Sequence, residues 1–219
     1  MQNNPINRET KKKTTKHTRH LVLVRHGESV WNVEGKWTGW TDVGLTEKGK
    51  EEARQVAAAI SHIEFHIAFT SDLTRAHETL EIIKATLGRR ALPVRREEAL
   101  KERHYGIYTG KVKWEIQKEI GEEAFKNLRR GWDVPIPEGE TLKDVHERVV
   151  PHFLKHVQPH LKRGKNVLLV AHGNTIRTLI KHLENIPNED ISEVEVGTGE
   201  VIIYTLDHTG KVIGKETIN

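Results

Sequence analysis

The sequence contains no cysteine, few aromatic residues and no long apolar run. Among its 219 residues there is no Cys, which excludes disulfides, thiolate zinc sites and a cysteine nucleophile. No uninterrupted apolar run is longer than five residues, as at 167–171, far below the roughly 18 that a membrane-spanning helix needs. The start also lacks the apolar segment of a secretory signal. These absences favour a soluble, cytoplasmic protein that does not engage a membrane.

Positive charge is concentrated at one end of the chain. The formal net charge is +4, but residues 1–20 hold six basic residues against one acidic residue, which leaves the remainder at −1. A body so close to neutral disfavours a nucleic-acid-binding protein with a large positive face. Residues 1–19 show no apolar periodicity, so we expect a disordered basic tail there. For that segment a nucleic-acid arm and a targeting peptide stay open as alternatives, and a single domain is predicted over residues 20–219.

Short apolar runs alternate with helical patterns along that domain. Strands are predicted at 21–24, 67–70, 93–95, 166–171, 201–206 and 212–218, and helices at 45–60, 73–87, 141–161 and 175–183. The alternation predicts an α/β fold with a mostly parallel central sheet and helices on both faces. Pro151 and Pro159 should kink or end the longest helix. Residues 104–140 are poor in strand signal and contain several Gly and Pro, so we expect a helical cap inserted there.

Two of the predicted strands end in the same short pattern. Arg25-His26-Gly27 follows the first strand, and His172-Gly173 follows the strand at 166–171. Ligands of open α/β sheets bind outside the carboxyl ends of the strands, so neighbouring parallel strands would place two imidazoles side by side at that edge. The Gly after each His should let the backbone turn sharply and approach a ligand. Either pattern alone is weak evidence, because a strand-end His is often a structural residue.

As an ordered set, the motifs resemble the histidine phosphatase superfamily and, within it, the cofactor-dependent phosphoglycerate mutases. The supporting segments are 29–32, 37–40, 70–76, 100–106, 129–131 and 197–199, and the resemblance spans about residues 21–206. It implies that His26 is the nucleophile that becomes phosphohistidine and that His172 stabilises the transferring phosphoryl group. It also implies that Glu102 exchanges a proton with the substrate hydroxyl. Arg25 and Arg75 are expected to hold phosphate oxygens, for which guanidinium geometry is well suited.

The resemblance also implies a set of substrate-binding residues. Those expected near the phosphate and carboxylate of the substrate are Ser29, Asn32, Thr38, Gly39, Gly173 and Asn174. Those expected from the cap, at the end of the substrate that does not react, are Arg103, Tyr105, Lys113, Arg129 and Arg130. A second basic cluster favours a mutase over a general phosphatase, because a mutase must retain a bisphosphorylated acid while that acid reorients.

The implied reaction is the interconversion of 2-phosphoglycerate and 3-phosphoglycerate, a step of glycolysis and gluconeogenesis. The partner is then a small phosphorylated three-carbon acid, the cofactor is 2,3-bisphosphoglycerate as phosphoryl primer, and no metal is required. Two alternatives stay open: a histidine phosphatase for small phosphomonoesters, and an inactive module that binds a phosphorylated partner or RNA. The row of His152, His156 and His160 lies one position before an apolar stripe, so we predict a boundary or surface row there rather than a metal site.

Two features depart from the family pattern. The loop at residues 133–140 is shorter than the corresponding loop of many mutases. The sequence also ends at Asn219 without the polar or basic tail that many members carry. A more open site would exclude water less completely, so we expect measurable hydrolysis of bisphosphoglycerate beside the mutase reaction. These departures also leave monomer, dimer and tetramer open.

Overall fold

A six-stranded mixed sheet forms the centre of the computed structural model, which describes residues 18–218. The strands are β1 (Arg19–Arg25), β2 (Ile67–Thr70), β3 (Val94–Arg96), β4 (Val167–Ala171), β5 (Val201–Leu206) and β6 (Val212–Ile218). Their order across the sheet is β3-β2-β4-β1-β5-β6. The pairings from β3 to β1 are parallel, and those of β5 with β1 and β6 are antiparallel. The prediction of a mostly parallel α/β fold is confirmed, with an antiparallel pair at one edge.

The helices lie close to their predicted positions. They are α1 (Val30–Val33), α2 (Glu47–Ala59), α3 (Thr74–Thr86), α4 (Lys113–Ile120), α5 (Glu122–Arg130), α6 (Leu142–His152), α7 (Gln158–Lys162) and α8 (Gly173–Glu184). Short 3-10 turns span Glu98–Leu100, Gly106–Tyr108 and Ile191–Glu193. Thr46 caps α2, since its side chain accepts a hydrogen bond from the Gly49 amide at 3.0 Å.

The predicted long helix is interrupted but not ended by its prolines. Pro151 lies inside α6, a π-helical turn occupies Phe153–Val157, and α7 restarts the α-helix with Pro159 near its beginning. Proline removes one backbone donor and clashes with the preceding turn, and a wider turn accommodates that defect. The apolar stripe along the helix still reaches the core, where Phe153 and Val157 are fully buried.

Alternate residues of each central strand enter two different cores. Leu21 and Leu23 of β1 pack in the cluster that includes residues of α6, the π-helical turn and α8. Val22 and Val24 face the opposite side, where α2 and α3 supply the partners. Because side chains alternate across a strand, a strand buried on both faces must be apolar at every position. This double burial explains the short, uninterrupted apolar runs in the sequence.

A third, smaller core lies beneath α4 and α5. Its buried members are Trp37, Ile116, Phe125, Leu128 and Ile136. Trp37 comes from the loop after α1, so this cluster attaches the segment 104–140 to the loop that follows the first strand.

Two sequence predictions concern regions at the limits of the described chain. The predicted disordered tail falls mainly on residues 1–17, which lie outside the described residues. Arg19, which was predicted to belong to the tail, is part of β1. Within residues 18–218, no helix is both long and apolar enough to cross a membrane.

Candidate active site

The register of two neighbouring strands brings the two motif histidines together. β1 and β4 are parallel neighbours, and Arg25 pairs with Ala171 at their carboxyl ends. The next residue of each strand is therefore a histidine at the same edge. The His26 amide donates to the Ala171 carbonyl at 3.0 Å, and the ring centroids of His26 and His172 are 5.1 Å apart. The juxtaposition predicted from the sequence is confirmed.

The hydrogen bonds of His26 fix its tautomer. Nδ1 lies 2.7 Å from the Gly27 carbonyl oxygen, which can only accept, so Nδ1 carries the proton. Nε2 accepts from Nε of Arg75 at 3.2 Å and is therefore the unprotonated nitrogen. Burial, followed by the charges of Arg75 and Arg25, lowers the pKa of His26 well below its ordinary value of 6.5. His26 is thus a neutral imidazole at pH 7, with its nucleophilic nitrogen directed toward a cation.

His172 is neutral for the same reason and is paired with Ser71. Nε2 of His172 lies 2.7 Å from the Ser71 hydroxyl oxygen, which also accepts from the Leu73 amide at 3.3 Å. When the Ser71 hydroxyl donates to Nε2, Nδ1 of His172 carries the ring proton, and this buried atom has no hydrogen-bond partner in the described part of the chain. Burial, with the nearby charge of Arg75, lowers the pKa of His172 well below 6.5. A buried donor without an acceptor is costly, and an incoming anionic oxygen would satisfy it.

Two arginines flank the histidine pair. Arg75 is almost fully buried, and its guanidinium donates to the carbonyls of Gly39 and Thr41 as well as to His26. Burial lowers the pKa of Arg75 to about 10, so it remains cationic at neutral pH. Arg25 donates through Nη1 to the Val196 carbonyl at 2.7 Å, while its buried Nε has no partner within residues 18–218. These guanidiniums are positioned to neutralise a phosphoryl group beside His26.

Glu102 is the carboxylate of the site, and one of its oxygens is fixed. Oε1 accepts from the backbone amides of Arg103 at 2.8 Å and Asn174 at 3.2 Å. Oε2 makes no hydrogen bond within the described residues, and it lies 3.7 Å from where a Cβ on Gly173 would be. Asn174 in turn donates its side-chain amide to the Tyr105 hydroxyl at 2.7 Å. Glu102 therefore presents one oriented, uncommitted oxygen next to the start of α8.

These groups open into a strongly basic cavity of about 280 Å³. Six cationic side chains line it, against two carboxylates, Glu102 and Glu195. The cations are Arg25, Arg75, Lys113, Arg129, Arg130 and Arg177. The cap supplies three of them, one from α4 and two from α5. The cavity therefore offers cations from the strand ends and from the cap to a single ligand.

Two of the cap cations form no ion pair within the described residues. Lys113 Nζ lies 6.0 Å from the Trp37 ring, the Arg129 guanidinium lies 5.5 Å from the Phe125 ring, and neither side chain makes a hydrogen bond within the described residues. Burial, then the charge of Arg129, lowers the pKa of Lys113 to about 8. Burial and the adjacent Arg130 also lower the pKa of Arg129. Crowding like charges is unfavourable without a counter-ion, so these cap residues favour an anionic ligand.

Comparison with known proteins identifies the family. A family model described as "Histidine phosphatase superfamily (branch 1)" matches residues 21–218. The chain belongs to the histidine phosphatase superfamily. The family model covers nearly all of the described residues, including both strand-end histidines, so the resemblance inferred from the sequence is confirmed.

Relatives within the superfamily include curated bacterial enzymes with a single name. A protein of Parvibaculum lavamentivorans is 43% identical over 200 residues, covering 90% of this chain and 95% of its own length. A protein of Brucella ovis is 44% identical over 204 residues, covering 92% of this chain and 99% of its own. Both are named 2,3-bisphosphoglycerate-dependent phosphoglycerate mutase.

Solved structures of the superfamily have the same fold. YhfR of Bacillus stearothermophilus superposes with a TM-score of 0.76 at 32% identity, covering 89% of this chain and 94% of its own. A mycobacterial glucosyl-3-phosphoglycerate phosphatase in complex with VO3 superposes with a TM-score of 0.77 at 26% identity, covering 92% and 98%. The likeness extends over almost the whole chain in both cases.

Most of the predicted site residues meet at the cavity. The predicted residues that line it are Arg25, His26, Asn32, Thr38, Gly39, Arg75, Glu102, Tyr105, Lys113, Arg129, Arg130, Gly173 and Asn174. His172 lies behind this surface, against the ring of His26. Ser29 is fully buried and outside the lining, where its hydroxyl donates to the Asn32 side chain at 2.9 Å. Ser29 therefore orients Asn32 rather than forming part of the cavity wall.

Arg103 differs most from its prediction. Its side chain is fully buried, does not line the cavity, and donates to three backbone carbonyls, those of Leu128, Val134 and Glu140. Through these bonds the guanidinium braces the backbone next to Glu102 against the C-terminal part of the cap. The expectation of a substrate contact rested on the motif alone, which does not reveal which way a side chain points.

Several residues of the cavity wall were not predicted. They are Trp37, Arg177, Glu195, Val196 and Gly197. Arg177 had a usable signal, because it follows Asn174 by three positions on α8 and residues so spaced share one helix face. Its guanidinium donates to the Asn174 side chain at 2.8 Å and to the Arg130 carbonyl at 2.9 Å. Glu195 carries no such signal, because it lies in the loop between α8 and β5.

The glycine after each histidine has a different physical role. A Cβ on Gly27 would lie 2.2 Å from the Gly49 carbonyl oxygen, so Gly27 allows β1 and α2 to pack in contact. A Cβ on Gly173 would lie 3.6 Å from Nε of Arg25, among the groups of the cavity. The expected close approach to a ligand therefore fits Gly173, whereas Gly27 is required by packing.

Proposed function

We propose that this chain is a 2,3-bisphosphoglycerate-dependent phosphoglycerate mutase that interconverts 2-phosphoglycerate and 3-phosphoglycerate. The observation that carries the proposal is a cavity in which neutral His26, packed against His172, meets two cap cations, Lys113 and Arg129, that form no ion pair within the described residues. The name shared by relatives at 43–44% identity supports it. With this activity the chain acts in glycolysis and gluconeogenesis, in the cytoplasm.

The first step transfers a phosphoryl group to His26. Nε2 attacks the phosphorus of 2,3-bisphosphoglycerate, so a P–N bond forms as the bond from phosphorus to the ester oxygen breaks. Phosphoryl transfer depends mainly on positioning and charge neutralisation. Arg25, Arg75 and the unpaired N–H of His172 supply that stabilisation around the transferring group. The proton of Nδ1 remains on the bond to Gly27, which holds the ring in the reactive tautomer.

Glu102 manages the proton of the substrate oxygen. When an ester oxygen leaves phosphorus it gains a proton, and when a hydroxyl attacks phosphohistidine it loses one. The uncommitted Oε2 of Glu102 lies next to Gly173 and so on the wall nearest Arg25. The same oxygen serves both directions, which the reversible interconversion requires.

The cap cations retain the intermediate while it turns. Lys113 and Arg129 form no ion pair within the described residues, and they hold the phosphate or carboxylate that is not reacting. Phosphohistidine donates its phosphoryl group to the free hydroxyl of the bound monophosphoglycerate, so the P–N bond breaks as a P–O bond forms. After the resulting bisphosphate has turned, Nε2 of His26 attacks its other phosphate, which regenerates phosphohistidine and releases the isomeric monophosphoglycerate. The wall against which the three-carbon chain reorients is completed by Asn32, Thr38, Gly39 and Tyr105.

The proposal is tested by turnover of purified protein with and without 2,3-bisphosphoglycerate, and with EDTA added. We expect activity that depends on the bisphosphate and resists EDTA. Activity that needs no bisphosphate, or that EDTA abolishes, would contradict the proposal. Glu102→Gln should slow phosphoryl exchange about 10²- to 10⁴-fold, the range typical of a lost general acid or base, while substrate affinity changes little.

A phosphatase acting on small phosphomonoesters is the second candidate. The observation that favours it is the likeness to a solved glucosyl-3-phosphoglycerate phosphatase. Phosphate release from many monoesters without mutase turnover, unaffected by Arg129→Ala or Arg130→Ala, would establish it. Under the mutase proposal, hydrolysis of 2,3-bisphosphoglycerate is a measurable side reaction and both substitutions impair turnover.

A further inference from the structure

One carboxylate at the cavity wall has no role in the proposed reaction. Glu195 lies in the loop between α8 and β5 and forms an ion pair with the guanidinium of Arg130. Its side chain is 72% exposed, whereas that of Arg130 is 20% exposed. Arg130 thus differs from its neighbours Lys113 and Arg129, because its charge already has a counter-ion in the free protein.

The backbone around Glu195 is held in place by the site itself. The preceding carbonyl, of Val194, accepts from Nε of Arg177 at 2.9 Å. The following carbonyl, of Val196, accepts from Nη1 of Arg25 at 2.7 Å. Glu195 is therefore anchored on both sides by arginines of the cavity, and its position beside Arg130 is a feature of the site rather than of a free loop.

The consequence for ligands is electrostatic. A ligand that places a phosphate at the cap end must share Arg130 with Glu195 or displace it, and it then lies near a like charge. A dianionic phosphate is penalised more by that carboxylate than a monoanionic carboxylate is, since the Coulomb energy scales with the product of the charges. Inorganic phosphate, which occupies only the histidine end, is affected least.

We propose that Glu195 is a specificity-determining residue that weakens retention of ligands bearing a second phosphate at the cap end. This inference rests on the proposed function for its biological meaning, because the mutase intermediate is such a ligand. Glu195 sets how long the bisphosphorylated acid stays and how much of it is needed to keep the protein phosphorylated. It does so because its carboxylate forms an ion pair with Arg130 in the free protein, and a ligand phosphate must share or displace that pair.

The test compares Glu195→Gln with two matched variants. Glu193→Gln removes an equally exposed carboxylate that pairs with Lys126 outside the cavity wall. Glu195→Asp keeps the charge on a shorter side chain. Affinity for 2,3-bisphosphoglycerate is measured by calorimetry in a His26→Ala background, which prevents turnover, and inorganic phosphate serves as the single-site ligand.

We expect Glu195→Gln to tighten 2,3-bisphosphoglycerate about two- to fivefold at low ionic strength, the range of an exposed ion pair. Phosphate affinity should change less than this, Glu193→Gln should match the parent, and Glu195→Asp should lie between. In an Arg130→Gln background, Glu195→Gln should produce less tightening, because the pair no longer exists. Equal tightening of both ligands, or none of the bisphosphate, would overturn the proposal.

The outcomes separate this inference from the proposed function. Mutase turnover in the unmodified chain, with no effect of Glu195→Gln on bisphosphate affinity, refutes the role of Glu195 alone. Absence of mutase turnover, together with selective tightening of the bisphosphate, refutes the reaction but upholds the role of Glu195. In the active background, we expect Glu195→Gln to lower the concentration of 2,3-bisphosphoglycerate that gives half-maximal mutase activity.

Discussion

Arg103 and Arg129 provide a test of how the cap is built, because the structure gives two neighbouring cations opposite roles. The Arg103 side chain is fully buried and donates to three backbone carbonyls. The Arg129 side chain lines the cavity and makes no hydrogen bond within the described residues. We therefore predict that Arg103→Met mainly lowers stability and that Arg129→Met mainly lowers substrate affinity.

The magnitude for Arg103→Met follows from the carbonyls left behind. An unsatisfied buried acceptor costs about 1–3 kcal/mol, so three of them cost roughly 3 kcal/mol or more before any rearrangement. With a urea m-value of about 2 kcal/mol/M, the unfolding midpoint should fall by roughly 1.5 M. Arg129→Met keeps the contact with Phe125 through its aliphatic part and should change stability by less than about 1 kcal/mol.

Urea unfolding and steady-state kinetics on both variants provide the measurement. Arg103→Met is examined well below its midpoint, where the folded fraction is high. Arg103→Met should retain a KM near that of the parent, while Arg129→Met should raise KM at least tenfold, since a charge-assisted contact is lost. A stable Arg103→Met protein with greatly raised KM would show that this guanidinium reaches substrate, and would refute the assignment as a brace.

Three further predictions follow from burial and packing. Because the folded-state pKa of both His26 and His172 lies well below 6.5, the unfolded chain binds more protons than the folded chain as the pH falls. These two groups alone should lower the unfolding free energy below pH 6.5 by up to about 2.7 kcal/mol per pH unit, and His172→Gln should flatten the slope in urea titrations. Lys113, with a pKa of about 8, loses its charge above that value, so KM should rise between pH 7 and 9 in the parent and stay flatter in Lys113→Arg. Gly27→Ala should lower the free energy of unfolding by about 1–3 kcal/mol, because its Cβ would overlap the Gly49 carbonyl. Thermal unfolding of Gly35→Ala is the comparison that separates packing from backbone strain, because a Cβ there would meet open space at a positive φ.

The fold was predictable from the sequence wherever burial was two-sided or a cap residue marked a boundary. The apolar runs of β1 and β4 need no context, because both faces of each strand are covered by helices. Thr46 likewise marked the start of α2. The antiparallel direction of β5 against β1 and the π-helical turn after Pro151 were not predictable, since both depend on how distant elements pack.

The candidate site was predictable to the extent that strand ends determine it. His26 and His172 follow strands whose register brings them together, so motif and topology agree. The direction of Arg103 and the position of Glu195 depend on side-chain geometry in the cap and in a loop, for which the sequence has no periodic signal. Because the loop position of Glu195 carries no such signal, its ion pair with Arg130 was not anticipated.

The most direct test of the account is mass spectrometry of the intact protein after brief incubation with 2,3-bisphosphoglycerate. The account predicts one added phosphoryl group, labile in acid, located on His26 and transferred to added 3-phosphoglycerate. His26→Ala should acquire none, and Ser71→Ala should acquire it more slowly through the loss of the bond that orients His172. A protein that turns over substrate without any phosphohistidine, or that carries the phosphoryl group elsewhere, would contradict the central claim.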